Sequence, residues 1–431
     1  MELVVDLHIH SHFSRATSKA MNIASLYRWG KIKGIQVIGT GDFTHPDWLA
    51  ELKEKLEPAE PGLFCLKKEF AEKEDQVLPQ ELAQKDIRFI LSAEISNIYS
   101  KNGKVRKLHN LVIVPSFAVA SAINTQLEKI GNLKADGRPI LGMDSKELLK
   151  ITLQIDPDNL FIPAHIWTPW FSMFGSKSGF DSIEEAFEEL TPEIKAIETG
   201  LSSDPFMNWR LSGLDEITIV SNSDAHSPGK LGREANVLNC ELSYQDIIQA
   251  IKTNDQRMLG TIEFFPQEGK YHYDGHRACQ VCCKPSQTKK YQGLCPKCGQ
   301  PLVLGVDYRV QELADRPEDY QPKKHKKVEY IIPLVEILGE IKNIKSPNSK
   351  AIQLEYERLY SLFGDEFSIL RKIPLAEIQA AGFSQLAQAL KNMRQGQIHV
   401  QPGYDGVYGI IKVFADKDER QQVDGQLGLG I

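Results

Sequence analysis

The sequence predicts an α/β protein: a parallel sheet or barrel, then a cysteine-rich module, then a mainly helical region. Three observations carry this. From residue 1 to about 260, short apolar β-type runs alternate with helix-like segments, as strands joined by crossover helices do. Near 260 the alternation stops in a turn-rich aromatic stretch, and five of the seven cysteines follow within Cys279–Cys298. From Val328 to about Asn392 the pattern turns helical, and a β-hairpin candidate closes it, with strands Gln397–Val400 and Ile410–Phe414. The expected division is 1–260 for the α/β unit, 261–327 for the cysteine module with its basic residues, and 328–431 for the helical region and hairpin. Asp416–Ile431 is polar and Gly-rich and is expected to fray.

Composition narrows the class. The 431 residues are 42% hydrophobic and 25% charged, which is globular and sufficient for two or three domains. No apolar run approaches the roughly 20 residues of a membrane span. Met1-Glu-Leu-Val-Val-Asp6 has no basic n-region, so a cytoplasmic protein with no membrane partner is expected. The odd number of cysteines, and their clustering, favours a metal site over a disulfide framework. The net charge of −6 hides an asymmetry: residues 270–327 hold twelve Lys/Arg against six Asp/Glu. That segment is +6 and the remainder −12, so a basic island sits on an acidic protein.

The first run spans Leu3–Ile9; its odd positions through Ile9 are apolar, while Asp6, His8 and, just beyond it, His10 and His12 are polar. Strand period puts His8 and His10 on one face, near the strand's C-terminal end, where two imidazoles can clamp one ion. Helix-like Asn22–Lys33 follows, with Gly34 at its C-cap position, before the second run, Ile35–Gly39. Asp42 and His45 come just after that run. Glu94 follows Ile87–Leu91, His165 follows Phe161–Ala164, Glu198 ends Ala196–Glu198, and Asp224 and His226 follow Ile217–Ser221. Helix-like segments such as Phe117–Ile130, Asp144–Leu153, Ser182–Leu190 and Tyr244–Lys252 lie between. In a β/α barrel the strand ends share one rim, where active sites lie. One polar residue after a strand is commonly a cap; metal-ligand residue types after nearly every strand are not.

The segment Glu94–Val114 adds an independent constraint. Asn102-Gly103 is a favoured two-residue hairpin turn. In that register Ser96 faces His109, and Glu94 becomes a diagonal neighbour of His109, roughly 7–8 Å away at the backbone. A one-residue slip would put them on opposite faces. His, Asp and Glu without Cys suit Zn²⁺, Mn²⁺, Mg²⁺ or Fe²⁺. So many ligands imply more than one ion, and clustered divalent ions activate water and stabilise phosphate-ester transition states. Metal-assisted hydrolysis of a phosphoester is the expected chemistry.

Cys279-Gln-Val-Cys282 and Cys295-Pro-Lys-Cys298 form a C-x2-C-x12-C-x2-C array, the spacing of two zinc knuckles, so a structural Zn²⁺ on these four residues is expected. The adjacent Cys283 leaves one ligand ambiguous. Candidate phosphate contacts are Lys101, Lys104, Arg106 and Lys107 beside the hairpin turn, Lys270, His272 and Arg277 before the array, and Lys323, Lys324, Lys326 and Lys327 after it. A solvated basic surface is the plainer alternative for each.

The set Asp6-Leu-His8-Ile-His10, Thr40-Gly-Asp42-Phe-Thr-His45, Ser92-Ala-Glu94, His109-Asn-Leu, Pro163-Ala-His165 and Asn222-Ser-Asp224-Ala-His226 resembles the polymerase and histidinol phosphatase (PHP) superfamily. That resemblance covers roughly residues 1–255 and implies a distorted (β/α)7 barrel with a two- or three-metal phosphoesterase site. With the zinc module and helical region added, the chain is similar to the endonuclease Q family. Gly269-Lys-Tyr-His-Tyr-Asp-Gly-His-Arg277 and Gln401-Pro-Gly-Tyr-Asp-Gly406 also resemble that family. The resemblance implies a DNA repair endonuclease. It would nick 5′ to uracil, hypoxanthine, xanthine and abasic sites, leaving 3′-hydroxyl and 5′-phosphate ends. It would act on DNA containing deaminated bases, with a replication or repair protein as a further partner.

Carried over residue by residue, the resemblance implies that His8, His10, Glu94 and Asp224 surround one ion, with Glu94 bridging to a second held by His109 and His165. A third would sit on His226 with Asp42 or His45, and Glu198 is a ligand or a group behind one. His8, His10, Glu94 and Asp224 are the catalytic set. The superfamily has His directly after the Asp at position 42, where this chain has Phe43, so His45 or His12 would have to substitute. Trp167–Ser178 and Lys270–Arg277 are candidate walls of a pocket for a base turned out of the duplex. A small-molecule phosphatase of the histidinol-phosphate type is the competing activity on the same fold, and a DNA-binding protein with an inactive barrel is a third. The extra 170 or so residues and the basic segment favour the nuclease, and the near-complete ligand set disfavours the inactive barrel.

Overall fold

The computed structural model describes residues 1–414; the tail Asp416–Ile431, expected to fray, lies outside the described residues. The fold is mixed α/β around a central sheet. Its strands are β1 (Glu2–Asp6), β2 (Val37–Gly39), β3 (Arg88–Lys101), β4 (Lys104–Val114), β5 (Leu160–Pro163), β6 (Ala196–Glu198), β7 (Thr218–Val220), β8 (Ala235–Asn239) and β9 (Met258–Glu263). Shorter strands complete the edges.

The sheet is mixed rather than purely parallel. β1 pairs parallel with β2 and β2 with β3, but the β3–β4 and β4–β5 pairs are antiparallel, as are β1–β8 and β8–β9. The Asn102-Gly103 turn is the local cause of one reversal. Both residues have positive φ, 55° and 71°, which a two-residue turn matched to strand twist requires. β6 and β7 pair parallel as a separate two-stranded unit. Single backbone bonds tie it to its neighbours: Ile166 N–H donates to Glu198 O, and His10 N–H donates to Ala225 O.

Helices cover the sheet. The first, α1 (Ile23–Lys33), is capped as its sequence indicates, with Asn22 accepting from Ser25 N–H and Gly34 in the left-handed region at φ 84°. Leu26 and Ile32 are buried from it, in one continuous core with Ile38 and Phe89 of the sheet. A second core on the other sheet surface joins Leu3, Val5 and Leu7 to Ile247, Ile248 and Ile251 of α2 (Tyr244–Thr253). β1 is thus apolar on both faces until Asp6, and its polar residues are displaced to its C-terminal end.

The later segments are tied into this body. A strand at Lys327–Tyr330 pairs in parallel with β9 and extends the main sheet. Arg210 bonds Asp307 and Gln311 across the same junction. After it, α3 (Leu334–Lys342), α4 (Lys350–Phe363) and α5 (Ser384–Arg394) pack around Ile337, Leu359 and Leu390. The closing hairpin pairs His399–Gln401 with Ile410–Lys412. No helix among the described residues is long and apolar enough to cross a membrane.

Candidate metal centre

The strand ends converge. β1 finishes at Asp6, and His8 and His10 extend beyond it, fully buried. Between them Ile9 bridges to Ala225, which brings Asp224 to the same spot. Glu94 enters from the middle of β3, level with Leu111 in the hairpin register. That register pairs Ser96 with His109, so Glu94 and His109 share a face. His165 follows the end of β5.

Ligand-type atoms of His8, His10, Glu94 and Asp224 all lie within 4.8 Å of one another. So do those of Glu94, His109 and His165. Glu94 belongs to both groups through different oxygens. Its Oε1 is 2.6 Å from His109 Nδ1 and 2.9 Å from His165 Nε2, while Oε2 is 3.2 Å from His10 Nε2. His8 Nε2, His10 Nε2 and Asp224 Oδ1 are buried without a well-directed hydrogen bond, although His10 Nε2 is 2.9 Å from Asp224 Oδ1. Three such atoms crowded against one carboxylate fit a divalent cation, since buried polar groups otherwise find well-aligned partners. The donor set, imidazole with carboxylate and no thiolate, suits Zn²⁺, Mn²⁺ or Fe²⁺.

Asp42, expected among the ligands, stands behind them instead, and Glu198, expected as a ligand or a group behind one, is the latter. Glu198 accepts from His8 Nδ1 at 3.0 Å, from His165 N–H at 2.9 Å and from Asn222 Nδ2 at 2.8 Å. Asp42 takes His10 Nδ1 at 3.1 Å, Ser11 N–H and Oγ at 2.7 Å, and Ser14 Oγ at 2.8 Å. Their oxygens are used, and what they do is hold each imidazole with Nε2 pointing inward. The third group, His226 with Asp42 or His45, is not brought together among the described residues. The His226 ring lies 4.5 Å from the His10 ring, at the edge of the site. His45 precedes the helix at Pro46–Lys55 and its ring stacks on Phe13. His12 packs edge-on against Trp48, and Phe43 is wholly buried in the core.

Backbone strain marks the same residues. Asp42, His165 and Asp224 all have positive φ, at 50°, 31° and 46°. Non-glycine residues avoid this region at a cost of about 1 kcal/mol or more, and such residues cluster at functional sites. Electrostatics agree. Burial opposes charge on Glu94, but His109, Arg138 and His8 outweigh it and hold the carboxyl well below its usual range. Burial also opposes charge on His8, yet Glu198 and Glu94 keep its pKa well above the usual value. His109 is pushed down to about 4, chiefly by burial.

One residue that sequence patterns do not single out joins the site. Arg138 Nη1 donates to Glu94 Oε2 at 2.9 Å from the loop before Pro139. No spacing in the sequence connects it to the ligands. Of the candidate pocket walls, Phe171 lies against the site, its ring 4.8 Å from that of His109, while Trp167 is buried and bonds Asn208.

The cysteine array differs from its expected form. The atoms gathered are those of His276, Cys279, Cys295 and Cys298; Cys282 is exposed and outside the group. The reason is local pairing. The short strands Asp274–His276 and Val281–Cys283 run antiparallel, with His276 opposite Val281. Cys283, buried with Val281, Cys295 and Leu302, fills a small apolar core. His276 stands three residues before Cys279, as Cys282 stands three after it, so the same x2 spacing was available on either side.

The basic candidates separate. Lys101 is paired with Asp144 and Glu188, and Arg106 is buried with its guanidinium on the Phe180 ring, so both serve the fold. His272 is buried, and burial lowers its pKa to about 4. Lys104, Lys270 and Arg277 are exposed, and Lys107 Nζ lies 5.2 Å from the Trp170 ring. Lys323 and Lys324 line a cavity of about 870 Å³ with Trp209 and Tyr320. Lys327 is level with Gly260, Val237 and Val4 across the sheet, so this run lies at the end away from His8 and His10. Lys326 donates to Asp255 O and Lys327 pairs with Glu329.

An α/β sheet with buried His, Glu and Asp converging at its strand ends defines a candidate metallohydrolase. Comparison with known proteins gives the particular architecture. The chain is similar to the lesion-specific endonuclease PfuEndoQ from Pyrococcus furiosus, with a TM-score of 0.82 and 29% identity over 98% of this chain and 99% of that one. It is similar at TM-score 0.81 and 29% identity, over 98% of each chain, to endonuclease Q solved with a 27-mer duplex substrate carrying an abasic lesion at the active site. The chain therefore has the endonuclease Q architecture over its described residues, and the resemblance read from its sequence is borne out.

Residues 333–397 match the family described as the MJ0043 C-terminal domain. Uncharacterized protein MJ0043 of Methanocaldococcus jannaschii is 31% identical over 280 residues, 62% of this chain. The chain spans about a third of that relative's length, 34%. Uncharacterized protein YqxK of Bacillus subtilis is 28% identical over 95% of this chain and 99% of its own.

Proposed function

We propose that this chain is a metal-dependent DNA repair endonuclease. It cleaves the phosphodiester 5′ to deaminated bases (uracil, hypoxanthine, xanthine) and abasic sites. Water adds to phosphorus, the P–O3′ bond breaks, and the proton passes to the 3′ oxygen, leaving 3′-hydroxyl and 5′-phosphate ends. The observation that carries this is the double role of Glu94, shared between two convergent ligand groups within an architecture matched by a lesion-specific endonuclease. In this reading residues 1–260 are the PHP-type barrel, 261–327 carry the zinc ribbon and the described residues from 328 on the helical domain, with the strands Met258–Glu263 and Lys327–Tyr330 crossing these bounds to complete the main sheet. Support for a closed barrel comes from the backbone bonds that link β6 to the end of β5 and Ala225 to the end of β1.

His8, His10, Glu94 and Asp224 would hold one divalent ion, and Glu94, His109 and His165 a second. Such ions supply an activated water and charge stabilisation on phosphorus. Glu198 and Asp42 fix the imidazole orientations. Arg138, a quarter exposed beside Glu94, presents a guanidinium to a phosphate oxygen. His276, Cys279, Cys295 and Cys298 would hold the structural Zn²⁺. Lys104, Lys107, Lys270 and Arg277 are the phosphate contacts, and a replication or repair protein is a further partner.

The test is to incubate purified protein with end-labelled duplexes carrying one uracil, hypoxanthine or abasic site, with and without chelator. A chelator-sensitive nick on the 5′ side of the lesion is expected. Intact duplexes alongside hydrolysis of a small phosphomonoester would transfer the site to the phosphatase alternative.

A further inference from the structure

The chain leaves the main sheet at Glu263. Val5 is level with Asn236 and Asn236 with Thr261, so Glu263, two residues further along a strand running with β1, is level with Leu7. The segment after Glu263 therefore begins at the end of the sheet that carries His8 and His10. There it meets the C-terminal hairpin. Gly403 N–H donates to Gln267 O at 2.8 Å, Gly406 N–H to Lys270 O at 2.9 Å, Gly409 N–H to Glu268 O at 2.9 Å, and Tyr273 N–H to Gly403 O at 3.0 Å. A Cβ on Gly403 or Gly409 would come within 2.4 or 2.1 Å of a backbone oxygen, so the close approach depends on both glycines.

This stitching sets three side chains together. Lys270 Nζ lies 5.6 Å from the Tyr271 ring centroid and 5.8 Å from that of Tyr408. Tyr271 and Tyr408 are 38% and 67% exposed, so two solvent-accessible tyrosines stand around a cation on a backbone pinned by these bonds. Arg277 is exposed nearby. Among the described residues, neither Lys270 nor Arg277 is ion-paired. Unpaired cations beside open aromatic faces match a ligand that alternates π faces with anions. A single nucleic-acid strand does so, because every nucleotide carries both. A paired duplex offers only base edges and backbone. A peptide acidic enough for the cations has no aromatic surface at matching spacing.

We propose that Lys270, Tyr271 and Tyr408 form a stacking site for nucleotides that have left the duplex. The tyrosine rings take base faces, and Lys270 with Arg277 takes the flanking phosphates. The proposal rests on the nucleic-acid function above. It adds a recognition element independent of the metal centre, one that selects unpaired nucleotides without reading their sequence.

The test photocrosslinks the full-length protein to 5-iodouracil placed in a single-stranded oligonucleotide, and beside the abasic site of a lesion duplex. Crosslinks are expected on the peptides containing Tyr271 and Tyr408, and their loss in the double variant Tyr271→Ala/Tyr408→Ala. That variant should bind single strands about tenfold or more weakly while binding an undamaged duplex as before. The Tyr→Phe pair keeps both rings and should bind as wild type, which separates stacking from misfolding. Lys270→Ala should flatten the single-strand salt slope by about 0.7. Crosslinks elsewhere, with unchanged single-strand affinity in the alanine pair, overturn the site. Wild-type nicking is a separate readout. Crosslinks at the tyrosines without any nicking defeat the endonuclease proposal and keep the stacking site; nicking with crosslinks elsewhere does the reverse.

Discussion

Glu94 Oε1 stands 2.6 Å from His109 Nδ1, across the hairpin that carries both residues. Because its other oxygen faces His10 and Arg138, Glu94 is the one side chain common to both ligand groups. Glu94→Gln keeps the shape and removes the charge. Metal content per chain, measured by plasma mass spectrometry after dialysis, is expected to fall, and nicking to fall by more than about 100-fold. That exceeds the roughly 10–100-fold seen when a partner behind a ligand is changed. A variant with full metal content and wild-type nicking would remove Glu94 from the bridging position.

Asp42→Asn and Glu198→Gln should behave more mildly. Each weakens the acceptor that orients one imidazole, His10 or His8, without removing a ligand. Metal affinity is expected to drop roughly 10–100-fold and activity to recover at higher metal concentration. Chelator titration of nicking reads this directly. Loss that no metal concentration restores would make either carboxylate a ligand, the role the sequence suggests for Asp42 and one of the two it allows Glu198.

The difference between these two classes of carboxylate is also where the sequence stopped being legible. His8 and His10 were placed by strand period, Glu94 and His109 by one hairpin turn, and His165 and Asp224 by their positions just after strand ends, while their grouping around ions came from the family resemblance. These placements rest on local rules. Asp42 was expected as a ligand, and for Glu198 the sequence left open whether it is a ligand or a group behind one. The supporting role depends on which oxygens Ser11, Ser14, Asn222 and His165 N–H occupy across distant segments. Arg138 was invisible, since nothing local ties a loop arginine to a strand 44 residues earlier. The antiparallel β1–β8 pairing was hidden for the same reason: alternation of strands and helices does not encode direction.

Arg138→Ala tests a charge placed on the substrate rather than on the ions. Its guanidinium leans on Glu94 and remains 26% exposed at the site. Metal content should stay at the wild-type level while kcat falls roughly 10²-fold, as for loss of one preorganised donor at a transition state. Arg138→Lys should recover only part, because a point charge replaces a planar fork. An equal loss of metal and rate would show that Arg138 only supports Glu94.

In the cysteine module, Cys282 and His276 make opposite predictions. Cys282 is exposed and outside the ligand group, whereas His276 Nδ1 is 3.3 Å from Cys298 Sγ. Native mass spectrometry should find Zn²⁺ retained in Cys282→Ser and released or weakened in His276→Ala and Cys295→Ser. Structural zinc contributes folding free energy, so residues around 275–305 should also exchange amide hydrogens faster in the last two. Zinc lost from Cys282→Ser and kept in His276→Ala would restore the four-cysteine arrangement.

Glu263 and Glu234 make the stability of this chain fall as pH rises. Both are fully buried; Glu263 Oε1 accepts from Ser221 Oγ at 2.5 Å, but its Oε2 and both oxygens of Glu234 have no hydrogen-bond partner. Burial pushes the Glu263 pKa from 4.5 up to about 8, and burial with the neighbouring Glu263 raises Glu234 well above its usual value. Unfolded, Glu263 releases its proton near 4.5; folded, it holds it to about 8. Between those values the folded state binds more protons, so the contribution is fully present below 4.5 and is lost as pH rises through 8. Glu263→Gln removes the titration while keeping an oxygen for Ser221. The variant is expected to melt higher than wild type at pH 8, by about 2–4 °C per kcal/mol recovered. The two melting curves should converge toward pH 5, measured at fixed metal concentration. Parallel curves from pH 5 to 8 would mean that Glu263 is ionised throughout and that a cation, not a proton, neutralises the pair.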